Sequence, residues 1–307
     1  MSLDQRIVEL TRKYKPLAVE LLKEAIRIPA DYVDKPVNKG GDPQCGLSNH
    51  EGPRLEYLKK RIVEIKAVAK AKDVWFDGFG NLVWTVENPN DGIKKADKAV
   101  IYYDGHSDTV KALRDRWREA LGGIDAYQGI VDKKKINKAF LKKELGYLPP
   151  DKEWDNLLFG RGSADQLAGV ISQIIATKIQ LELIDEGALN GVIVYSYATV
   201  TEEDNDGAGP MHIMRKELPG APAARIPDVV ILSEGTGDAH LGACGIYRGQ
   251  RGRMQIEVEV TGKSCHGSMP SEGLNPLEYA GRILAEAADK FDKRDGFLDH
   301  KFLGHGT

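Results

Sequence analysis

Acidic residues and a histidine recur where apolar runs stop. The run at residues 99–103 is followed by Asp104-Gly105-His106-Ser107-Asp108, that at 191–201 by Glu202-Glu203-Asp204, and that at 228–232 by Ser233-Glu234. A fourth position, Asp165, comes just after a Gly160-Arg161-Gly162 turn, where a helical pattern begins at Ala164. In a parallel α/β sheet, ligands and chemistry gather at the carboxyl ends of the strands. One imidazole among several carboxylates, without a thiolate, suits zinc, manganese or cobalt and suits copper or iron–sulfur clusters poorly. Two such ions about 3.5–4 Å apart, bridged by a carboxylate, would activate a water and polarise a carbonyl, which is the chemistry of amide hydrolysis. Any one of these acids could instead cap a helix or answer a dipole. The His106-x-Asp108 spacing favours the metal reading, because a carboxylate behind an imidazole orients it toward a cation.

The elements that must position these residues follow from periodicity. Residues 3–28 repeat apolar side chains at three and four (Ile7, Leu10, Tyr14, Leu17, Leu21), a helix face ended by Pro29. An irregular stretch at 30–52 leads to a second predicted helix at 53–71, with Leu55, Leu58, Ile62, Ile65 and Val68 inward. Short strands are expected at 74–76, 81–86 and 99–103, a helix at 164–186, and buried strands at 191–201 and 228–232. Residues 111–159 form a long polar connection of the kind that covers a site or serves it. Alternating strands and helices predict an α/β fold, a three-layer α/β/α sandwich on a mainly parallel sheet. Past residue 244 the texture changes. Residues 255–260 (QIEVEV) alternate like a half-exposed strand of a smaller sheet, and Asn275-Pro276 open a helix to about 292. A boundary near 244 therefore separates a metal-binding catalytic domain, 1–243, from a partial α+β lid or dimerisation domain, 244–307.

Composition narrows the function classes. The chain has 307 residues, of which 41% are apolar, enough for a sizeable core. Its 43 Lys+Arg against 46 Asp+Glu leave a net charge of −3, with no basic groove for nucleic acid. No apolar run approaches the roughly 20 residues of a membrane span, and the charged N-terminus is unlike a signal peptide, so a cytoplasmic protein is expected. The 3 cysteines, Cys45, Cys244 and Cys265, form no CxxC and are expected to be reduced thiols. A cysteine nucleophile at Cys265-His266 is disfavoured because neighbours on a strand point to opposite faces. Neither phosphate-loop pattern surrounds Gly160-Arg161-Gly162. His50, His212, His240, His300 and His305 match no motif and are expected in surface or capping roles.

The ordered pieces His106-Ser-Asp108, Gly160-Arg-Gly-Ser-Ala-Asp165, Thr201-Glu-Glu203, Ser233-Glu234, and Gly249-Gln-Arg-Gly252 to Ser264-Cys-His266-Gly resemble the M20 metallopeptidases. That family includes acetylornithine deacetylases, succinyl-diaminopimelate desuccinylases and glutamate carboxypeptidases, and within it the likeness is nearest to hydrolases of the YgeY type. The resemblance implies a site with two zinc ions, cobalt or manganese being alternatives. His106 and Glu234 would hold one metal and Glu203 the other, with Asp165 bridging them and Asp108 holding the imidazole. Glu202 would be the general base, and His266 would hydrogen-bond the developing oxyanion, in this family usually in a partner subunit. The implied substrates are small N-acyl amino acids or dipeptides with a free carboxylate, and the implied assembly is a homodimer through the lid domain. Family chains usually continue further and there supply a last metal-binding histidine and the grip on the substrate's carboxylate, so the sequence is expected to be C-terminally incomplete. The connection between Asp108 and Asp165 is also longer than in most members. The competing reading is a catalytically silent relative acting as a metal-binding or dimerising module. Glu202 argues against it, since a metal store needs no further carboxylate beside its ligand, whereas the expected missing portion argues for it.

Overall fold

A computed structural model describes residues 1–30, 50–129, 132–203, 207–235, 256–292, 299–300 and 304–305. The sequence features at Cys45, Asp204, His240, Cys244 and Gly249 to Gly252, and most of the irregular stretch at 30–52, lie outside them. Two compact units divide the chain, Met1–Ala243 and Cys244–Thr307.

The first unit is built on a sheet of five strands in the order β1-β2-β4-β3-β5, comprising β1 (Val74–Phe76), β2 (Leu82–Glu87), β3 (Ala99–His106), β4 (Val192–Thr199) and β5 (Val229–Leu232). β4, β3 and β5 are mutually parallel, β2 is antiparallel to both β1 and β4, and so four of the five strands run the same way. Alternation along the strands sorts side chains into two faces. Leu82, Trp84, Ala198 and Val200 pack with α1 (Leu3–Ile26), α2 (Gly52–Glu64) and α5 (Leu167–Glu182). Val83, Tyr102, Ile193, Tyr195 and Tyr197 face the other way, against Ile213 and Leu218 after the short helix α6 (Ala208–His212). Helices thus cover both sides, as the sequence predicts. The buried Trp84 indole satisfies its N–H on Thr177 Oγ1 at 3.2 Å, which lets an aromatic with a polar atom sit in the middle layer.

Several bounds differ from the sequence expectation for identifiable reasons. α2 stops at Glu64, because Lys66 takes φ 59° and turns the chain, although Val68 still buries itself beyond the helix. β3 continues past its apolar run through Asp104, Gly105 and His106, since these residues pair with Tyr197, Ala198 and Thr199 of β4. α5 begins at Leu167, not Ala164, so Asp165 lies in the preceding turn. β5 was expected to be buried, yet Val229, Val230, Ile231 and Leu232 are about half exposed, with only β3 beside them among the described residues. The long connection holds α3 (Arg114–Ala120) and α4 (Lys138–Leu145), which close a small core of their own around Leu121, Ile136, Leu141 and Trp154.

In the second unit, α7 (Pro276–Asp292) forms where predicted, with Asn275 Oδ1 accepting from Leu277 N at 3.1 Å. The anticipated strand at 255–260 is not formed at 256–260, where Ile256 and Val258 are exposed and no ladder partner lies among the described residues. Two-residue strands β6 (Asp299–His300) and β7 (Gly304–His305) pair antiparallel. No helix of the described residues is long and apolar enough to cross a membrane.

Candidate metal centre

Four segments far apart in sequence converge on the His106 imidazole, which is 3% exposed. His106 ends β3, Asp108 follows it by two residues, Glu202 and Glu203 follow β4, Glu234 follows β5, and Asp165 precedes α5. The imidazole Nε2 lies 2.8 Å from Asp165 Oδ1, 3.8 Å from Glu234 Oε2 and 3.9 Å from Glu202 Oε2. Behind it, Nδ1 stands 3.2 Å from Asp108 Oδ1 and 3.1 Å from the Asp108 carbonyl oxygen. Two acceptors at Nδ1 fix the ring orientation and, in the neutral ring, the tautomer that leaves an Nε2 lone pair facing the carboxylates. Glu203 also comes in, with ligand atoms of His106, Asp165 and Glu203 all within 4.8 Å of one another. All six first-unit candidates therefore meet. His266 belongs to the second unit, where it is exposed and its Nδ1 contacts Ser268 Oγ at 2.8 Å.

The electrostatics are those of crowded acids. Burial pulls the His106 imidazole down, but its hydrogen bonds to Asp108 and Asp165 outweigh that and push it up to about 11. The hydrogen bond from His106 holds Asp165 below the usual range. Burial, followed by the charge of Asp165, raises Glu203 and pushes Glu234 up to about 7. Acids raised by one another's charge gain most from a neighbouring cation. The donor set, one imidazole nitrogen and several carboxylate oxygens with a carboxylate behind the ring, fits a borderline-hard divalent ion.

Supporting residues escape a reading by residue type alone. The fully buried Gln166 side chain accepts from the His106 backbone N–H through Oε1 and donates from Nε2 to Glu234 Oε2 at 2.9 Å, tying two candidate ligands together. Gly105 makes room for it, since a Cβ there would stand 2.8 Å from Gln166 Oε1. The backbone leaving β4 is held by three side chains. Val200 N donates to Asn81 Oδ1 at 3.0 Å, Thr201 N to Glu51 Oε1 at 2.9 Å, and Glu203 N to Asp108 Oδ2 at 2.9 Å. Thr201 adopts φ 56°, a conformation rare for a β-branched residue, and these bonds fix the direction in which Glu202 and Glu203 leave the sheet. One signal was available: Glu51 and Arg54 continue the inward stripe of Leu55, Leu58 and Ile62, a place where charge must find partners.

Residues 248–302 match the M20 peptidase dimerisation domain. YgeY of Escherichia coli strain K12 is 37% identical over 155 residues, covering 50% of this chain and 34% of that protein. The metallohydrolase MJ0457 of Methanocaldococcus jannaschii is 23% identical over 288 residues, covering 90% of the chain and 60% of MJ0457. A probable succinyl-diaminopimelate desuccinylase of Staphylococcus aureus is 31% identical over 140 residues, covering 45% of the chain and 30% of that protein. The chain thus spans less than two thirds of the length of these relatives. Among solved structures, the di-peptidase Dug1p of Saccharomyces cerevisiae superposes with a TM-score of 0.51 at 14% identity, covering 77% of this chain and 42% of that one, a likeness of fold. With a match to the M20 dimerisation domain at 248–302 following an α/β/α unit, and with the likeness to YgeY and to the desuccinylase, the chain is similar to the M20 peptidases.

Proposed function

We propose that the chain forms the metal-binding centre of a hydrolase that cleaves amide bonds in small N-acyl amino acids or dipeptides. The observation that carries this reading is the His106 Nε2 facing Asp165, Glu202 and Glu234, with Asp108 behind the ring. His106, Asp165 and Glu234 would hold one divalent ion, and Asp165 with Glu203 a second. Zinc is the first choice, and cobalt or manganese would suit the same donors. The metal, when bound, supplies Lewis acidity toward a water and toward the scissile carbonyl. Asp108 holds the imidazole, and Gln166 holds Glu234 through Oε2, the oxygen that faces His106 Nε2. Glu202 takes a proton from the attacking water at its carboxylate and returns it to the departing amine nitrogen. The second unit contributes a homodimer contact, through which His266 of one copy hydrogen-bonds the oxyanion in the other.

The roles separate by experiment. His106→Ala should lose zinc, measured as metal per chain after dialysis against a fixed free concentration. Glu202→Gln should keep it while lowering turnover of an N-acyl amino acid by about two orders of magnitude. Unchanged zinc in His106→Ala would remove the centre from this site, and lost zinc in Glu202→Gln would make Glu202 a ligand and not a base.

A further inference from the structure

The turn between β1 and β2 meets α6 and the π-helical turn Ile213–Glu217 at a second group of metal-ligating side chains. Asp77, His212 and Glu217 each offer a ligand atom, and these atoms lie within 4.8 Å of one another. Each side chain is also held by a further partner. Asp77 Oδ1 accepts from the backbone N–H groups of Phe79, Gly80 and Asn81 at 2.9, 2.8 and 2.9 Å, and Oδ2 accepts from Asn81 Nδ2 at 2.6 Å. The His212 ring is stacked on Phe79, with centroids 5.1 Å apart and planes at 19°. Glu217 Oε2 accepts from Arg225 Nη2 at 3.2 Å, while its Oε1 stays 3.9 Å from His212 Nε2. Arg225 is itself seated over the Tyr195 ring at 4.5 Å. Ligands oriented by a second set of contacts distinguish a built site from acids that happen to be adjacent. Glu217 is pushed up by burial and then by the charge of Asp77.

We propose that Asp77, His212 and Glu217 bind one divalent cation of the zinc, manganese or cobalt class, independently of the His106 centre. One imidazole and two carboxylates supply three protein ligands, and because all three residues are partly exposed, water can complete the coordination. The cation acts as a brace. Asn81, which bonds Asp77, also accepts from Val200 N and donates to the Gly209 carbonyl at 3.3 Å. Fixing the Asp77 turn to His212 and Glu217 therefore secures the backbone on both sides of Glu202 and Glu203. The competing explanation is hydrogen bonding of His212 to the carboxylates, which requires no metal.

The test counts zinc per chain, after chelator stripping and dialysis at one fixed free zinc concentration, in wild type, His106→Ala, His212→Phe and the double variant. His212→Phe keeps a ring to stack on Phe79 and removes Nε2. The expected result is that each protein with Phe at 212 binds one zinc fewer than its counterpart with His, and that zinc affinity at this site falls at least about tenfold. Equal zinc within both pairs would overturn the proposal. If His212→Phe proves unfolded by circular dichroism, Glu217→Gln is read in its place, and unchanged zinc there overturns the proposal equally. The pairs on the His106→Ala background keep this outcome separate from that of the first centre.

Discussion

Protons and a cation compete for the same atoms at His106. In the metal-free protein Glu234 is pushed from 4.5 up to about 7 and His106 from 6.5 up to about 11, so both bind protons more tightly folded than unfolded. Groups raised in this way stabilise the fold fully below their unfolded values, and that contribution is lost as pH rises through the folded ones. For Glu234 the loss runs from 4.5 to about 7, and for His106 from 6.5 to about 11. A metal ligand must be deprotonated, so stabilisation by a cation has the opposite slope. The rise in Tm produced by zinc should therefore grow between about pH 5 and about pH 8, while these two groups draw the chelated protein's Tm down. Differential scanning calorimetry with and without chelator measures both, and a zinc effect that shrinks with pH would speak against ligation by these residues. His106, Asp108, Asp165, Glu202, Glu203 and Glu234 were legible in the sequence because each sits at a strand end or a helix start. Gln166 and Asn81 were not, because their work is done through bonds to residues 60 to 128 positions away that no local pattern displays.

Among the elements, α2 is more than a packing helix. Its Arg54 is fully buried and donates from Nε to the Ala25 and Ile28 carbonyls at the end of α1, and from Nη1 to the Ser107 carbonyl between His106 and Asp108. Helix ends leave carbonyls that need donors, and here one guanidinium serves the end of α1 and the loop after β3 together. Arg54→Met would keep much of the apolar stem and leave those carbonyls short of a donor in a dry place. A loss of about 3 kcal/mol is expected, measured as a lower urea midpoint with an unchanged slope. A smaller loss in Arg54→Lys would show that charge matters there beyond the fork of donors. Apolar periodicity foretold α1, α2 and the strands, because it records which faces are dry. It could not foretell that β3 runs on to His106, which depends on pairing with β4, nor that β5 stays about half exposed, which depends on how many neighbours a strand has.

At the scale of the whole molecule, both groups of metal-ligating side chains found among the described residues lie in the unit Met1–Ala243. The His106 group collects side chains from positions 106 to 234, so its ligand atoms come together only when the sheet, α5 and the segments after β3, β4 and β5 are all in place. A cation that binds this arrangement and not the unfolded chain stabilises the first unit by mass action, about 2.7 kcal/mol at a free concentration 100 times its Kd. For a unit of this size that corresponds to a rise of roughly 5 to 10 °C in its melting transition. The second unit holds no described group of three ligands and should melt at a temperature indifferent to zinc. Calorimetry should therefore resolve two transitions, of which zinc moves only the first unit's, and in His106→Ala that movement should fall to the share supplied by the Asp77 group. If zinc moved both transitions equally, the cation would be acting on the two units as one cooperative body, and the separation of ligand-gathering from the second unit would have to be abandoned.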